Sequence, residues 1–339
     1  MTMAIAVTSP HHLDFVPSEA IPPAPGEVML RIVRGGICGS DLHIFHGTNP
    51  YATYPRVIGH EFGGIVETVG DGVTGLREGD HVVVDPVVSC GVCYPCRIGR
   101  SNVCARLEVI GVHRDGGFRP FVTLPADNAI KVSPDLPFDV ATLAEPFSIA
   151  ANALLRTGCD PTDHVLLYGA GTVGLTMLQV AKLEGARVMI ADPDGARLER
   201  AARFGADITA RTGVDDIDAL ARAMNGGLGP TLVIDCAGVP ALMEDACRLA
   251  GPAGRVAIMG FSPQPTTIIQ QQINSKELTV YGSRLNRKLL PKVVDWLETG
   301  ALAPAAMVTQ TYPAADARAA FELFENEPHK TIKIQLAFD

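Results

Sequence analysis

At 339 residues, 47% of them hydrophobic and 19% charged, the chain is longer than one core ordinarily holds and carries enough apolar material for two. Its net charge of −9 gives no general electrostatic help toward a phosphate backbone, so a nucleic-acid partner is not expected. No apolar run is long enough to span a bilayer, and the opening MTMAIAVTSPHHLDF lacks the basic-then-apolar layout of a signal peptide, so the expectation is a cytoplasmic protein with no membrane partner, whose thiols stay reduced.

In chain order, residues 1–150 are patterned as short strands cut by glycine and proline. EVMLRIV, GGIVETV, HVVVDPVV and PFVTLP give this half an all-β pattern. Three segments gather metal-binding residue types. GICGSDLHIFHG holds Cys38, Ser40 and His43, GHEFGG sets His60 beside Glu61, and LAEPFSIA brings in Glu145 where the β-rich half ends. Thiol, imidazole and carboxylate together suit zinc with an open position, the form that catalytic sites take. Such a zinc polarises an alcohol or carbonyl oxygen, so that a hydride can leave the carbinol carbon for a nicotinamide. Taken singly, Cys38 reads as a small buried hydrophobe and Glu61 as a surface charge. The combination, with glycines flanking both segments and a nucleotide motif downstream, favours the metal.

CGVCYPCRIGRSNVC, from Cys90 to Cys104, holds four of the eight cysteines at C-x2-C-x2-C-x7-C spacing. In a reducing compartment this is a metal site rather than a disulfide pair. Cys90, Cys93, Cys96 and Cys104 would close a tetrahedral structural zinc site that ties down a loop lacking a core of its own. Gly91, Pro95 and Gly99 let the backbone wrap the ion. A zinc-ribbon DNA module fails on its surroundings, because the flanks are not basic and no recognition helix follows.

From about residue 150 the pattern changes to alternating β and α elements. DHVLLYGAG, RVMIADP, TLVIDCAG, GRVAIMG and LTVYGS read as strands, and TVGLTMLQVAKLEGA and GARLERAARFGA as helices, which predicts a doubly wound parallel sheet over 151–287. Gly169-Ala170-Gly171-Thr172-Val173-Gly174 is a G-x-G-x-x-G that follows a strand and opens a helix, the context that gives the motif meaning. Gly169 would make the tight turn, Gly171 would admit a pyrophosphate, and Gly174 would allow close helix–strand packing, with Thr172 and Val173 at the helix start. Asp192 ends the next strand, where a carboxylate holds the ribose hydroxyls of NAD and repels a 2′-phosphate, and Arg197 lies nearby. MNGGLGP (224–230) is the most loop-like stretch here. Beyond it, 288–339 reads as two helices, LLPKVVDWLETG and ARAAFELFENEP, and a closing strand, KTIKIQLAF. Cys159, Cys236 and Cys247 read as core thiols, and His46, His81 and His164 as packing or surface residues.

Taken in order, GICGSDLH, GHEFGG, the four-cysteine lobe, EPFSIA and GAGTVG make the whole chain resemble the zinc-dependent medium-chain dehydrogenases. The resemblance implies an α/β protein: a GroES-like β-rich catalytic domain over 1–150, a Rossmann domain over 151–287, a return to the catalytic domain over 288–339, and an active site in the cleft between the two. It implies two zinc ions per chain and NAD. Cys38, His60 and Glu145 would be ligands of the catalytic zinc, with Glu61 able to enter its shell or to bond a zinc-bound water. Ser40 and His43 would form a proton relay through the cofactor ribose. Where alcohol dehydrogenases of the family carry a cysteine as third ligand, this chain offers Glu145, as in the polyol, threonine and sugar-acid branches, which argues against ethanol-type substrates.

VIGVHRDGGF (109–118) and YGSRLNRK (281–288) resemble segments of bacterial sugar-acid dehydrogenases acting on galactonate, gulonate or idonate. His113, Arg114 and Arg284, with Arg287 beside it, are therefore candidate contacts for a substrate carboxylate. Polyol, threonine and diol dehydrogenases are alternatives within the family. A zinc-free quinone reductase would lack the ligands and the cysteine lobe. A nucleotide-binding relic would be expected to have lost Cys38, His60 or the Ser40/His43 pair. The apolar strand ELTVYGS (277–283), at a sheet edge that the family uses to dimerise, predicts a homodimer or tetramer.

Overall fold

A computed structural model describes residues 2–338. The chain divides into two compact units, one formed by the residues up to Glu145 together with those from Asn286 on, the other by Pro146–Leu285.

The first unit is β-rich. Its seven-stranded sheet runs Ala129–Lys131, His81–Val84, Glu61–Val69, Glu27–Gly36, Lys333–Ala337 and Val308–Pro313, with Phe121–Pro125 also paired to Glu27–Gly36. Alternation along Glu27–Gly36 turns Val28, Leu30 and Ile32 inward, where they pack with Phe62, Val66 and Val82. Two register shifts, at Met29/Leu30 and Ile32/Arg34, bend this central strand against Glu61–Val69. The closing strand Lys333–Ala337 pairs antiparallel to Glu27–Gly36 near its end, Gln335 opposite Gly36. A three-stranded sheet, His12–Ser18, Thr2–Ser9 and Arg56–Val57, completes the unit with the two-stranded Val87–Val88/Glu108–Val109.

The all-β expectation for this half needs amending. Helix Gly39–Phe45 interrupts the strands directly after Cys38, a short helix Tyr94–Arg97 sits inside the cysteine segment, and Glu145 lies on helix Ala144–Thr157. The first two are too short to produce a helical period in the sequence, and they begin at Cys38 and Cys93 as N-caps rather than at Ser, Thr, Asp or Asn.

The second unit is a six-stranded parallel sheet ordered Ile208–Arg211, Arg187–Asp192, His164–Tyr168, Leu232–Asp235, Arg255–Ile258 and Thr279–Gly282. This is the doubly wound order that reverses beside its first strand. Strands buried on both faces explain the near-continuous apolar runs: Val165, Leu166, Leu167, Val233 and Ile234 have no exposed surface. Helix Thr172–Leu183 follows the first strand, and Gly195–Arg203 follows the second, with Asp194 capping its N-terminus through a bond from the Ala196 N–H. Among the described residues no helix is long and apolar enough to cross a membrane.

Candidate functional site

Two strand ends build the first site. Glu27–Gly36 stops two residues before Cys38, and Glu61–Val69 starts one residue after His60, with Gly36 directly opposite Glu61. The Cys38 sulfur, a His60 ring nitrogen and a Glu61 carboxylate oxygen thereby lie within 4.8 Å of one another. His60 and Glu61 are buried, 7% and 1% exposed, while Cys38 is half-buried.

Asp41, fully buried, holds this arrangement together. One carboxylate oxygen accepts the Cys38 N–H at 2.9 Å, and the other accepts the Gly59 N–H at 3.3 Å. The latter oxygen stands 3.6 Å from His60 Nδ1, beyond hydrogen-bond length but close enough to attract the ring electrostatically. Burial alone would lower the His60 pKa, but Asp41 and Cys38 outweigh it and raise it. A carboxylate behind a ring nitrogen orients a metal-binding histidine, and Ser40 Oγ stands 3.3 Å from the other nitrogen, Nε2. Glu61 is paired with Lys333, whose Nζ lies 2.8 and 2.6 Å from its two oxygens. Sequence pattern points to neither Asp41 nor Lys333. Asp41 falls in the first turn of helix Gly39–Phe45, which has no helical period in the sequence, and Lys333 is visible only as a cation among the apolar residues of the last strand.

Glu145 lies outside the Cys38–His60–Glu61 group. It is 4% exposed, and burial raises its carboxyl pKa to about 8, against the pull of His60. Ser40 and His43 share helix Gly39–Phe45. The His43 Nδ1 contacts Thr48 Oγ1 at 3.0 Å.

The cysteine segment forms a second group. The Cys93 sulfur lies 3.4 Å from that of Cys96 and 3.7 Å from that of Cys104, and all four sulfurs fall within 4.8 Å. Zinc–sulfur bonds of about 2.3 Å set tetrahedral S···S edges near ~3.8 Å, so the four thiols fit one zinc ion. Backbone N–H groups favour the anionic form, with Cys90 donating to the Cys104 sulfur, Ala105 to Cys93 and Arg106 to Cys104. The Val92 and Cys93 N–H groups pull the Cys90 thiol down to about 5, while burial and the neighbouring Cys93 and Cys104 push Cys96 up to about 11. Gly91 and Gly99 have φ of 72° and 73°, the left-handed turns this wrapping requires.

In the second unit, Gly169 turns at φ 96° after strand His164–Tyr168, and Gly171 caps helix Thr172–Leu183. A Cβ on Gly171 would meet no atom within 4 Å, so the space above it is open, whereas one on Gly174 would sit 1.8 Å from the Gly169 carbonyl oxygen. Thr172 and Val173 are half-buried at the helix start. Asp192 ends its strand beside this loop, accepting the Ala170 N–H at 2.7 Å and the Asp194 N–H at 2.8 Å. Arg197 stands 3.9 Å from Asp192.

The candidate substrate residues are divided. His113 accepts the Val109 N–H and stacks on Tyr51 with ring centroids 5.4 Å apart, and both border a groove of about 770 Å³ in the first unit. Arg114 is paired with Glu108 at 3.1 Å. Arg284, in the second unit, lies over Phe261 at 5.6 Å. Arg287 belongs to the first unit instead, because the chain leaves the second at Leu285 and the Asn286 amide bonds Asp85 at 3.2 Å. Of the remaining singled-out residues, Cys247 is buried and Cys159 and Cys236 half-buried, His46 pairs with Glu325 at 2.6 Å, and His81 stacks on Phe138.

Residues 24–134 match the alcohol dehydrogenase GroES-like domain, and residues 172–299 match the zinc-binding dehydrogenase domain. The chain is 43% identical to the starvation-sensing protein RspB of Escherichia coli K12 over 99% of both chains. It is 35% identical to L-galactonate-5-dehydrogenase of the same organism, over 88% of this chain and 89% of that protein. A crystal structure of an alcohol dehydrogenase (rspB) from E. coli CFT073, complexed with the cofactor NADH, superposes with a TM-score of 0.95 at 43% identity over 99% of each chain.

Proposed function

The chain belongs to the zinc-dependent medium-chain dehydrogenases, and from that membership we propose that it oxidises a secondary alcohol of a sugar acid, transferring hydride to NAD. The observation that carries the reading is the Cys38–His60–Glu61 group, locked by Asp41. Cys38 and His60, with Glu145 as carboxylate ligand, would hold a zinc ion there. Once bound, zinc supplies a Lewis acid for the carbinol oxygen.

The chain's own groups do the rest. Asp41 holds the Cys38 backbone through its N–H and keeps His60 oriented through its charge. Ser40 Oγ, which can both donate and accept, takes the proton leaving the alcohol. His43, whose ring nitrogens can donate or accept, would pass it toward solvent. In the second unit the N–H groups of Thr172 and Val173 at the helix start receive the pyrophosphate, and Gly171 leaves room for its approach. Asp192 takes the adenosine ribose hydroxyls, and its charge opposes a 2′-phosphate. The four-cysteine group would hold the second zinc in a structural role.

The sugar-acid assignment rests on the resemblance of 109–118 and 281–288 to such enzymes and on the 35% identity to L-galactonate-5-dehydrogenase. Within it, His113, Arg114 and Arg284 are candidate contacts for the acid, with Arg284 the one tested for its carboxylate.

The test is kcat/KM with NAD across aldonates and their matching neutral polyols, following absorbance of the reduced cofactor, with NADP as the comparison cofactor. A charged hydrogen bond worth roughly 1.5–3 kcal/mol predicts an aldonate advantage of about ten- to a hundredfold, lost in Arg284→Ala. A polyol as good as its acid would replace the sugar-acid reading with the polyol one. Equal efficiency with NADP would remove the role given to Asp192.

A further inference from the structure

Lys333 opens the last strand and is 1% exposed, a buried cation at the start of a sheet strand. Its Nζ donates to both Glu61 oxygens and, at 3.1 Å, to the Ile37 carbonyl, so all three ammonium protons have acceptors. Both partners of the pair have side chains 2% exposed. The sheet is cut to admit them: a Cβ on Gly36 would fall 2.4 Å from Glu61 Oε2 and 3.4 Å from Lys333 Cδ. Ile37 is also tied to the last strand, its N–H donating to the Ile334 carbonyl at 2.9 Å, and the next residue is Cys38.

This pairing has a consequence for the metal. Glu61 is within reach of whatever ion Cys38 and His60 hold. A buried carboxylate must find a cation, and two are on offer, Lys333 and the metal. With Lys333 present, the Glu61 charge is neutralised inside the protein, and the Cys38 thiolate and the Glu145 carboxylate balance a divalent ion between them. With Lys333 absent, Glu61 would be left beside the metal, and a bond there would close the position that the alcohol needs.

We infer that Lys333 is a positioning residue that holds Glu61 out of the metal's coordination shell and so keeps the catalytic position open. The inference rests on the zinc reading of the Cys38 site. Its test uses the whole chain with cobalt(II) in that site and zinc retained by the four-cysteine lobe. The readouts are the visible cobalt spectrum and its shift on titration with imidazole, which takes an open position. Glu61→Gln is expected to leave both unchanged, because Glu61 is not a ligand. Lys333→Met is expected to change the spectrum and to weaken imidazole binding by about tenfold or more, on the scale of other changes around first ligands. The double variant Lys333→Met/Glu61→Gln, with both charges removed, is expected to restore the wild-type titration.

A changed spectrum in Glu61→Gln alone would overturn the inference, and this variant decides the matter even where Lys333→Met does not fold. Wild-type imidazole binding in a folded Lys333→Met would overturn it equally. Two metal ions per chain retained by Cys38→Ala would instead remove the zinc reading, and the inference with it.

Discussion

Cys38 and Cys96 are the same residue type with opposite expected consequences. Cys38 caps a helix beside His60 in a group that offers three different donor types, whereas Cys96 is one of four like thiols. Cys38→Ala is expected to abolish turnover while the chain stays folded. Cys96→Ala is expected to lower thermal stability first, since a structural zinc contributes folding free energy outright. Melts and rates on both variants test this, and normal turnover in Cys38→Ala would end the proposed mechanism. Asp80 provides a pH test away from either metal group. The Lys131 ammonium at 2.7 Å, helped by the Arg77 N–H and the Lys131 and Arg77 charges, holds its carboxyl below the usual carboxylate range. A depressed carboxylate stabilises the fold above its unfolded pKa, and that contribution is lost as pH falls through the folded value. Asp80→Asn is therefore expected to cost about 1 kcal/mol between pH 5 and 8, discounted for the half-exposed Lys131, and progressively less as the pH falls through the folded value. Denaturant titrations across pH check it, and a penalty that persists in acid would show that Asp80 acts through something other than its charge. At this scale the sequence exposes residues whose type and glycine setting are unusual, such as Cys38, His60 and Glu61. It hides Asp41 and Lys333, because their roles come from burial and from partners on distant strands rather than from neighbours in the chain.

Among the elements, legibility follows burial. His164–Tyr168, Arg187–Asp192 and Leu232–Asp235 are covered on both faces and stand out as apolar runs. Strand Ile208–Arg211 sits at the sheet edge with two of its four residues exposed, and its ITAR has no such run. The hairpin of Thr2–Ser9 and His12–Ser18 is equally hard to see, since His12–Ser18 buries only Leu13 and turns the rest of its length toward partial exposure. The glycine loop is the element whose chemistry is clearest, and its glycines separate into two kinds. A methyl at Gly174 collides with the Gly169 carbonyl at 1.8 Å, so Gly174→Ala is expected to destabilise the chain by roughly 1–3 kcal/mol. A methyl at Gly171 meets nothing. Gly171→Ala is expected to melt like the wild type while losing NADH affinity by about tenfold, near 1.4 kcal/mol. Melting temperature and fluorescence titration of NADH separate the two effects. An unstable Gly171→Ala, or one that binds NADH normally, would mean that the open space is not where the cofactor lies.

For the whole molecule, the parallel sheet of the second unit has two edges, and they are protected differently. At Ile208–Arg211 the edge carries a charge, with Arg211 also bonded to the Pro193 carbonyl and followed by a tight turn at Gly213. A charged residue on an edge strand discourages a second strand from pairing with it. Thr279–Gly282 carries no charge. Thr279, Val280 and Gly282 are exposed, Val280 at 38%, and among the described residues no strand covers their far side. The Gly282 carbonyl accepts from Arg156 Nε at 3.0 Å, and an edge strand with no charged residue of its own is satisfied most simply by the same strand of a second copy, related by a two-fold axis. The expected species is a homodimer, or a tetramer built from such dimers. Sedimentation velocity at micromolar concentration tests this, with Val280→Lys as the matched variant. Lysine on the exposed edge would bring two ammonium groups together across the two-fold axis without disturbing a buried residue, so Val280→Lys is expected to sediment as a smaller species with an unchanged melting profile for its isolated fold. A wild-type chain that sediments as a monomer would contradict the pairing. A wild-type oligomer left intact by Val280→Lys would move the interface to another face.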